Sequence, residues 1–140
     1  MGRITAQVVV AGTGQGKVLV LTEPLSLWGG LNPETGQIID QRHPQWGETV
    51  TGKILVLPCG RGSSSASSIL LEAVRLHTAP TAIITNEPDG ILALGAVVAR
   101  ELYTQAPAVL LLPDPAYQQL LTGQWVEIEE NGMINILSKP

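Results

Sequence analysis

The chain is organised around one strand, turn and helix start, which read Ile54-Leu55-Val56-Leu57-Pro58-Cys59-Gly60-Arg61-Gly62-Ser63-Ser64-Ser65-Ala66-Ser67-Ser68-Ile69-Leu70-Leu71-Glu72. The apolar run at its beginning predicts a buried strand, and the residues from Ile69 onward predict a helix. The glycine-containing turn between them would direct backbone N–H groups and the positive end of the helix dipole towards the carboxyl edge of a sheet. Open α/β sheets bind ligands at this edge. We therefore expect an anion-binding or substrate-binding loop here.

The serines of this loop allow two interpretations. Ser63 or Ser64 would serve as a helix N-cap after the turn at Gly62, and small residues would let the helix pack closely on the sheet. Capping needs one hydroxyl, whereas five of the six residues 63–68 are serines. The pattern therefore leaves a structural cap and a functional loop both open.

Composition limits the classes of partner and compartment. The chain has 140 residues, which predicts a single domain over residues 1–140. Charged residues make up only 14%, below the usual share of roughly a quarter, so we expect a partner to cover part of the surface. A net charge of −4 without a Lys/Arg cluster argues against nucleic acid or an anionic membrane as partner. Short apolar runs and the lack of a signal segment at the start predict a cytoplasmic protein.

The second half of the chain predicts a parallel sheet. Buried strands are expected at 54–57, 81–85 and 108–112, with helices running to about His77 and over 91–103. This β-α-β-α-β order with short links implies parallel strands and right-handed crossovers.

The two ends of the chain predict hairpins. Strands at 4–11 and 17–21 flank a flexible turn at 12–16, which we interpret as a hairpin connection. Strands at 124–129 and 133–137 flank Glu130-Asn131-Gly132, the strongest hairpin pattern in the chain. The expected fold class is thus α/β, with a β-hairpin layer, a parallel central sheet and a helical layer.

An irregular segment over residues 23–45 is rich in proline and glycine, as functional loops often are. Trp28, just before Gly29-Gly30, is predicted to be a lid or interface anchor, or else the plug of the domain's own small core. For His43 we favour a turn histidine bonded to nearby backbone over a catalytic base, because no partner for a base is evident in the sequence.

Several motifs resemble the small subunit, or swivel domain, of the aconitase X family over roughly residues 12–112. They are Pro24-Leu25-Ser26-Leu27-Trp28-Gly29-Gly30, Asn32-Pro33-Glu34-Thr35-Gly36 with Ile38-Ile39-Asp40, His43-Pro44, Gly52-Lys53-Ile54-Leu55-Val56-Leu57-Pro58, Gly60-Arg61-Gly62-Ser63-Ser64, Ala79-Pro80-Thr81-Ala82-Ile83-Ile84 and Ile91-Leu92-Ala93-Leu94-Gly95-Ala96. The resemblance implies a swivelling β/β/α fold of three layers, in agreement with the layers expected from the pattern.

The resemblance also implies an activity. Aconitase X proteins are iron–sulfur hydro-lyases made of a large catalytic part and a swivel part. They dehydrate cis-3-hydroxy-L-proline, mainly in bacteria, or mevalonate 5-phosphate, in archaea. The sequence Gly-Ser-Ser-Ser-Ala-Ser after Gly60-Arg61 is more similar to the bacterial type, which favours hydroxyproline.

The resemblance places a catalytic base at Ser63, which follows Gly62 as the base serine does in the wider aconitase group. That group has an arginine where this chain has Ser65, so the arginine's role falls to Arg61 or to the partner. Substrate or anion contacts are expected from Arg61, Gly62, Ser64 and Ser65. The expected lid or interface residues are Ser26, Trp28, Gly29, Gly30 and His43.

Cofactor and partner follow from the same resemblance. Iron–sulfur clusters are held by several cysteine thiolates, and this chain has only Cys59. We therefore expect no metal in this chain, a cluster in the large subunit, and a small hydroxy acid as substrate. Two non-enzymatic alternatives remain: a purely structural or regulatory swivel subunit, and a module that binds and delivers an anionic ligand.

The isolated chain is predicted to bind no iron–sulfur cluster, because one thiolate cannot hold one. Iron and acid-labile sulfide assays on protein purified without oxygen should give only background values. A stoichiometric cluster per monomer would contradict the prediction.

Overall fold

The computed structural model describes residues 2–61 and 65–140. In these ranges the strands are β1 Gly2–Thr5, β2 Gln7–Val10, β3 Gly14–Val20, β4 Leu31–Asn32, β5 Gln37–Ile38, β6 Ile54–Leu57, β7 Ala82–Thr85, β8 Ala108–Leu111, β9 Trp125–Ile128 and β10 Met133–Ser138. The helices are the single turn α1 Leu27–Gly30, α2 Ser65–Arg75, α3 Gly90–Tyr103 and a 3-10 helix at Ala116–Gln119. None of these helices is long and apolar enough to cross a membrane.

Parallel pairing of β3, β6, β7 and β8 forms the centre of the sheet, as predicted from the β-α-β-α-β order. Every residue of β6 and β7 is buried, which requires a covering layer on each face. Alternate side chains enter two different cores. Leu55 and Ile83 pack on the helix side, whereas Val56 and Ile84 pack on the side of the remaining strands.

The second layer is antiparallel. Strands β9 and β10 form the hairpin predicted at Glu130-Asn131-Gly132, where Gly132 has φ +90° and its N–H donates to the Glu129 carbonyl at 3.0 Å. Strand β9 also pairs with the first half of β3, and β10 pairs with β1. Because the second half of β3 pairs with β6, β3 joins this layer to the parallel one. The β/β/α arrangement expected from the sequence is confirmed.

The hairpin predicted at residues 12–16 is wrong. Strand β2 pairs with β8 and β3 pairs with β6 and β9, so the two strands lie apart in the sheet order. The glycines here serve close packing instead of a turn. A side chain at Gly14 would collide with the methyl group of Thr81, and a Cβ at Gly16 would lie 2.6 Å from the Gly52 carbonyl oxygen.

The first nine described residues, 2–10, contain the two strands that stand at opposite ends of the strand order. Strands β1 and β2 are separated only by Ala6, whose N–H donates to the Gly132 carbonyl at 3.0 Å. The order runs from β1 through the hairpin and the parallel strands to β2. The sheet therefore folds back on itself around the core between its two β layers.

Helices α2 and α3 pack against each other on the outer face of the parallel strands, and Gly95 lies at their contact. A Cβ at Gly95 would meet the Ser67 carbonyl oxygen at 3.1 Å and the Ser67 Cα at 3.2 Å. Gly95 therefore lets the two helices pack closely. On α2, Glu72 and Arg75 form an ion pair at i,i+3.

We predict that Gly95→Leu lowers the free energy of unfolding by about 1–3 kcal/mol, the usual cost of overpacking, because the new side chain meets backbone of α2. Urea unfolding of the isolated chain followed by circular dichroism measures the change. Leu94→Ala is the control, since Leu94 is exposed on the same helix and should change stability by no more than about 0.5 kcal/mol. Equal stability of Gly95→Leu and the wild type would contradict the packing described.

Candidate functional site

A cleft of about 470 Å³ lies next to the carboxyl end of β6. Its lining consists of Glu23, Pro24, Ser26, Trp28, Gly29, Gly30, Asp40, Arg42, His43 and Arg61. All the residues predicted as lid or interface thus share one cleft with Arg61, which was predicted as an anion contact. They come from three parts of the chain, residues 26–30, His43 and Arg61, which the fold brings together.

Backbone pairing holds this segment against the loop that follows β6. Leu25 and Gly60 form a parallel β-bridge, and the Arg61 N–H donates to the Leu25 carbonyl at 3.2 Å. Leu25 and Leu27 are almost fully buried in the core between sheet and helices. The irregular segment is therefore anchored through its leucines, and the cleft has a defined wall.

Trp28 is 62% exposed, so the interpretation as a core plug is wrong. Leu27 and Leu31 fill the core on either side of it, and the chain between them turns outward. Within α1, Trp28 has ψ 114° and Gly29 has φ +77°, both non-helical. The Ser26 hydroxyl donates to the Trp28 carbonyl at 3.1 Å and supports this turn. Trp28 as lid or interface anchor stays a prediction.

His43 is only 6% exposed, and both ring nitrogens contact backbone. Nδ1 accepts a hydrogen bond from the Gln45 N–H at 3.0 Å, and Nε2 lies 3.1 Å from the Glu23 carbonyl oxygen, to which it donates. The favoured interpretation, a turn histidine bonded to nearby backbone, is confirmed. With both nitrogens engaged, His43 shapes the cleft wall and has no free nitrogen to act as a base.

The described ionisable side chains of the cleft carry both signs of charge. Asp40 accepts a hydrogen bond from the Arg42 N–H at 3.0 Å and lies 3.7 Å from the Arg42 guanidinium. Glu23 and Arg61 add one further charge of each sign. The formal charges of these four side chains cancel.

Three residues that follow β7, Asn86, Glu87 and Asp89, also hold the loop after β6, and none of them was predicted from the sequence. The N–H groups of Asn86 and Glu87 donate to the Pro58 carbonyl at 3.1 and 3.0 Å. Asp89 accepts from Gly60 and from the first turn of α3. The signal that could have identified Asp89 is an aspartate directly before an apolar helix, which is typical of an N-cap.

Two weak acids near this edge stay protonated at neutral pH. Burial raises the pKa of the Cys59 thiol, and the carboxylates of Glu87 and Asp89 raise it further, against a lowering by Arg61. Burial, with Asp114 and Cys59 nearby, raises the pKa of Tyr117 to about 12. Neither group is therefore available as a base at neutral pH.

The predicted residues Gly62, Ser63 and Ser64 lie outside the described residues. They connect Arg61, on the cleft, to Ser65, the half-buried first residue of α2. Within the described ranges, no group of three or more His, Cys, Asp or Glu side chains lies close enough together to hold a metal ion.

Comparison with known proteins assigns the chain to a family. Residues 3–136 match the aconitase X swivel domain. This chain belongs to that family.

Characterised relatives include dehydratases of two kinds. Over 127 residues, 91% of this chain, it is 39% identical to cis-3-hydroxy-L-proline dehydratase from Pseudomonas aeruginosa, but covers only 22% of that protein. The chain thus spans about a fifth of that relative's length. Over 96 residues it is 44% identical to the phosphomevalonate dehydratase small subunit from Methanothermobacter thermautotrophicus, covering 69% of this chain and 73% of the relative.

A solved structure has the same fold. The crystal structure of Thermococcus kodakaraensis aconitase X, in its holo-form, superposes with a TM-score of 0.88 over 99% of this chain and 100% of that chain, at 32% identity.

The surroundings of Cys59 give a test of how Arg61 and Glu87 are placed. We predict that iodoacetamide alkylates Cys59 with a pH midpoint above that of an ordinary thiol, because burial and two carboxylates disfavour the thiolate. Arg61→Ala should move the midpoint higher by removing a positive charge, and Glu87→Gln should move it lower. Arg61→Lys, which keeps the charge, is the control. A midpoint below that of free cysteine would contradict the arrangement.

Proposed function

We propose that this chain is the swivel subunit of an aconitase X-type dehydratase, which removes water from a small hydroxy acid in complex with a large subunit. The observation that carries the proposal is the cleft itself. The cleft brings Arg61 together with the irregular segment. In the sequence, Arg61 directly precedes the serine loop that leads into α2, and the chain belongs to this family.

In this proposal Ser63 is the general base. Dehydration removes a proton from the carbon beside a carboxylate, the electron pair forms a double bond, and the hydroxyl group leaves as water after protonation. The described groups near the loop offer poor alternatives, since His43 has both nitrogens engaged and Cys59 and Tyr117 keep their protons. The loop at 62–64 supplies further candidates, and of these Ser63 matches the family's position.

A serine acts as a base only as an alkoxide, and the negative charge of that alkoxide has to be stabilised. Arg61 lies next to the loop in sequence, and the helix that begins at Ser65 offers N–H groups and its dipole. Donors oriented towards such a charge contribute about 3 kcal/mol each in closed sites. We assign this role to Arg61 and to the backbone around Gly62, Ser64 and Ser65.

The cofactor of the family does not fit this chain. An iron–sulfur cluster requires several thiolates, while the chain has only Cys59. We therefore assign the cluster to the large subunit and derive no step on this chain through it.

The charges of the cleft favour an amino acid as substrate. A hydroxyproline carries one carboxylate and one ammonium group, whereas mevalonate 5-phosphate carries a carboxylate and a phosphate. Glu23 and Asp40 would repel a second anionic group, while two acidic and two basic side chains suit a zwitterion. We therefore propose cis-3-hydroxy-L-proline, with mevalonate 5-phosphate as the alternative because of the 44% identity to the archaeal small subunit.

We also propose that the large subunit covers two exposed tryptophans. Trp28, on the irregular segment, is 62% exposed, and Trp46, directly after that segment, is 57% exposed. Tryptophan is enriched among the residues that dominate binding energy at interfaces. A cytoplasmic location and a single domain over residues 1–140 remain predictions.

Ser63→Ala in the reconstituted complex tests the proposal. We predict that turnover of cis-3-hydroxy-L-proline falls about 10²–10⁴-fold, the usual contribution of a general base, while co-purification with the large subunit and the cluster absorbance stay as in the wild type. Ser64→Ala is the matched control and should lose less. Both candidate substrates are assayed in parallel.

The alternatives make opposite predictions. If Ser63 only caps α2, Ser63→Ala should cost about 1 kcal/mol of stability and leave turnover nearly intact. A folded Ser63→Ala complex with wild-type turnover would therefore overturn the assignment and support a structural swivel subunit. Ligand binding by the isolated chain without turnover by the complex would support an anion-binding module instead.

A further inference from the structure

The Asp89 carboxylate joins two elements that meet at the candidate site. Its Oδ1 accepts hydrogen bonds from the N–H groups of Ile91 at 3.1 Å and Leu92 at 3.0 Å, and so caps α3. Its Oδ2 accepts a hydrogen bond from the Gly60 N–H at 2.6 Å, and hydrogen bonds to an ionised acceptor are shorter and stronger than neutral ones. One side chain therefore fixes both the start of α3 and the loop after β6.

Helix capping does not explain why Asp89 uses both of its carboxylate oxygens. A serine or asparagine caps a helix about as well as an aspartate with a single oxygen. The contact with Gly60, by contrast, needs a second acceptor, which only a carboxylate provides without a competing N–H or O–H donor. It also needs a glycine, because a Cβ at Gly60 would lie 2.6 Å from Oδ2.

Gly60 is held from two sides. Asp89 holds its N–H, and Leu25 pairs with it through the β-bridge and accepts from the Arg61 N–H at 3.2 Å. Arg61 enters the cleft at this point. The direction in which the chain leaves Gly60 therefore sets where Arg61 lies.

We propose that Asp89 is a positioning residue for Arg61, acting through Gly60, in addition to capping α3. This inference rests on the proposed function, in which Arg61 stabilises the negative charge of the base. A displacement of about 1 Å at a reacting group can reduce turnover about 100-fold, so a single hydrogen bond at the base of the loop has a measurable effect on rate.

Asp89→Asn separates the two roles. Its amide oxygen can keep the two bonds to α3, but its NH₂ group then faces the Gly60 N–H as donor against donor and pushes the loop away. Asp89→Ser keeps a capping oxygen and offers nothing to Gly60. We expect kcat of the reconstituted complex to fall about 10–100-fold in both variants, with KM within about threefold of the wild type.

A control variant accounts for general weakening of α3. Ala99→Gly loosens the same helix near its other end, where Ala99 is buried and far in sequence from Gly60. It should lower the thermal midpoint at least as much as Asp89→Asn while kcat stays close to the wild type. Equal loss of kcat in Ala99→Gly and Asp89→Asn would reduce Asp89 to a helix cap and overturn the inference.

A readout independent of turnover keeps the inference separate from the proposed function. In the wild-type chain, the short bond to Asp89 should shift the Gly60 amide proton downfield in NMR spectra. Asp89→Asn should abolish this shift and move the Arg61 amide signal, while the Ile91 and Leu92 amide signals are retained. Unchanged Gly60 and Arg61 signals would overturn the inference, even if the complex proved inactive on both substrates and the proposed function failed. Wild-type kcat in Asp89→Asn, alongside an inactive Ser63→Ala complex, would overturn the inference alone.

Discussion

Parallel pairing of β3, β6, β7 and β8 is the constraint on which the rest of the structure depends. The side chains of β6 and β7 are buried on both faces, so each face needs a layer that removes apolar surface from water. The helices α2 and α3 cover one face, and the antiparallel strands around the β9–β10 hairpin cover the other. Parallel pairing also places the ends of β6, β7 and β8 at one edge, where their loops meet.

At that edge, hydrogen bonds donated by backbone N–H groups hold the loops of the candidate site in place. The turn after β7 donates twice to Pro58, Leu25 accepts from Arg61, and Asp89 accepts from Gly60. These bonds fix the loop after β6 from two sides, so a mixed-charge cleft forms where sheet, irregular segment and helix start converge. Preorganised groups of this kind stabilise developing charge without having to reorganise during the reaction.

The three-layer architecture could be predicted from the sequence because local signals agree with it. Short apolar runs alternating with amphipathic helices indicate a parallel sheet, and Glu130-Asn131-Gly132 indicates a hairpin. The glycines at residues 12–16 misled the prediction, because glycine in a turn and glycine under a neighbouring backbone look alike in sequence. Gly14 and Gly16 lie inside β3, against Thr81 and Gly52, contacts that only the tertiary structure reveals.

The candidate site was predictable in its parts but not in its assembly. Ser26, Trp28, His43 and Arg61 could be selected from motifs, yet only the bridge between Leu25 and the loop after β6 shows that they line one cleft. Trp28 was ambiguous because hydrophobicity favours a core position, while the positive φ of its neighbour Gly29 turns the chain outward. Asp89 was missed because its contact with Gly60 crosses 29 residues of sequence.

The most direct test of the central claim is a crystal structure of the reconstituted complex with a substrate or unreactive analogue bound. The account predicts that the Ser63 hydroxyl oxygen lies about 3–3.5 Å from the carbon that loses its proton, the range expected of reacting atoms. It also predicts that Arg61 faces the same site and that Gly60 remains bonded to Asp89. A ligand bound with Ser63 more than about twice that distance away, and another group beside the reacting carbon, would contradict the account.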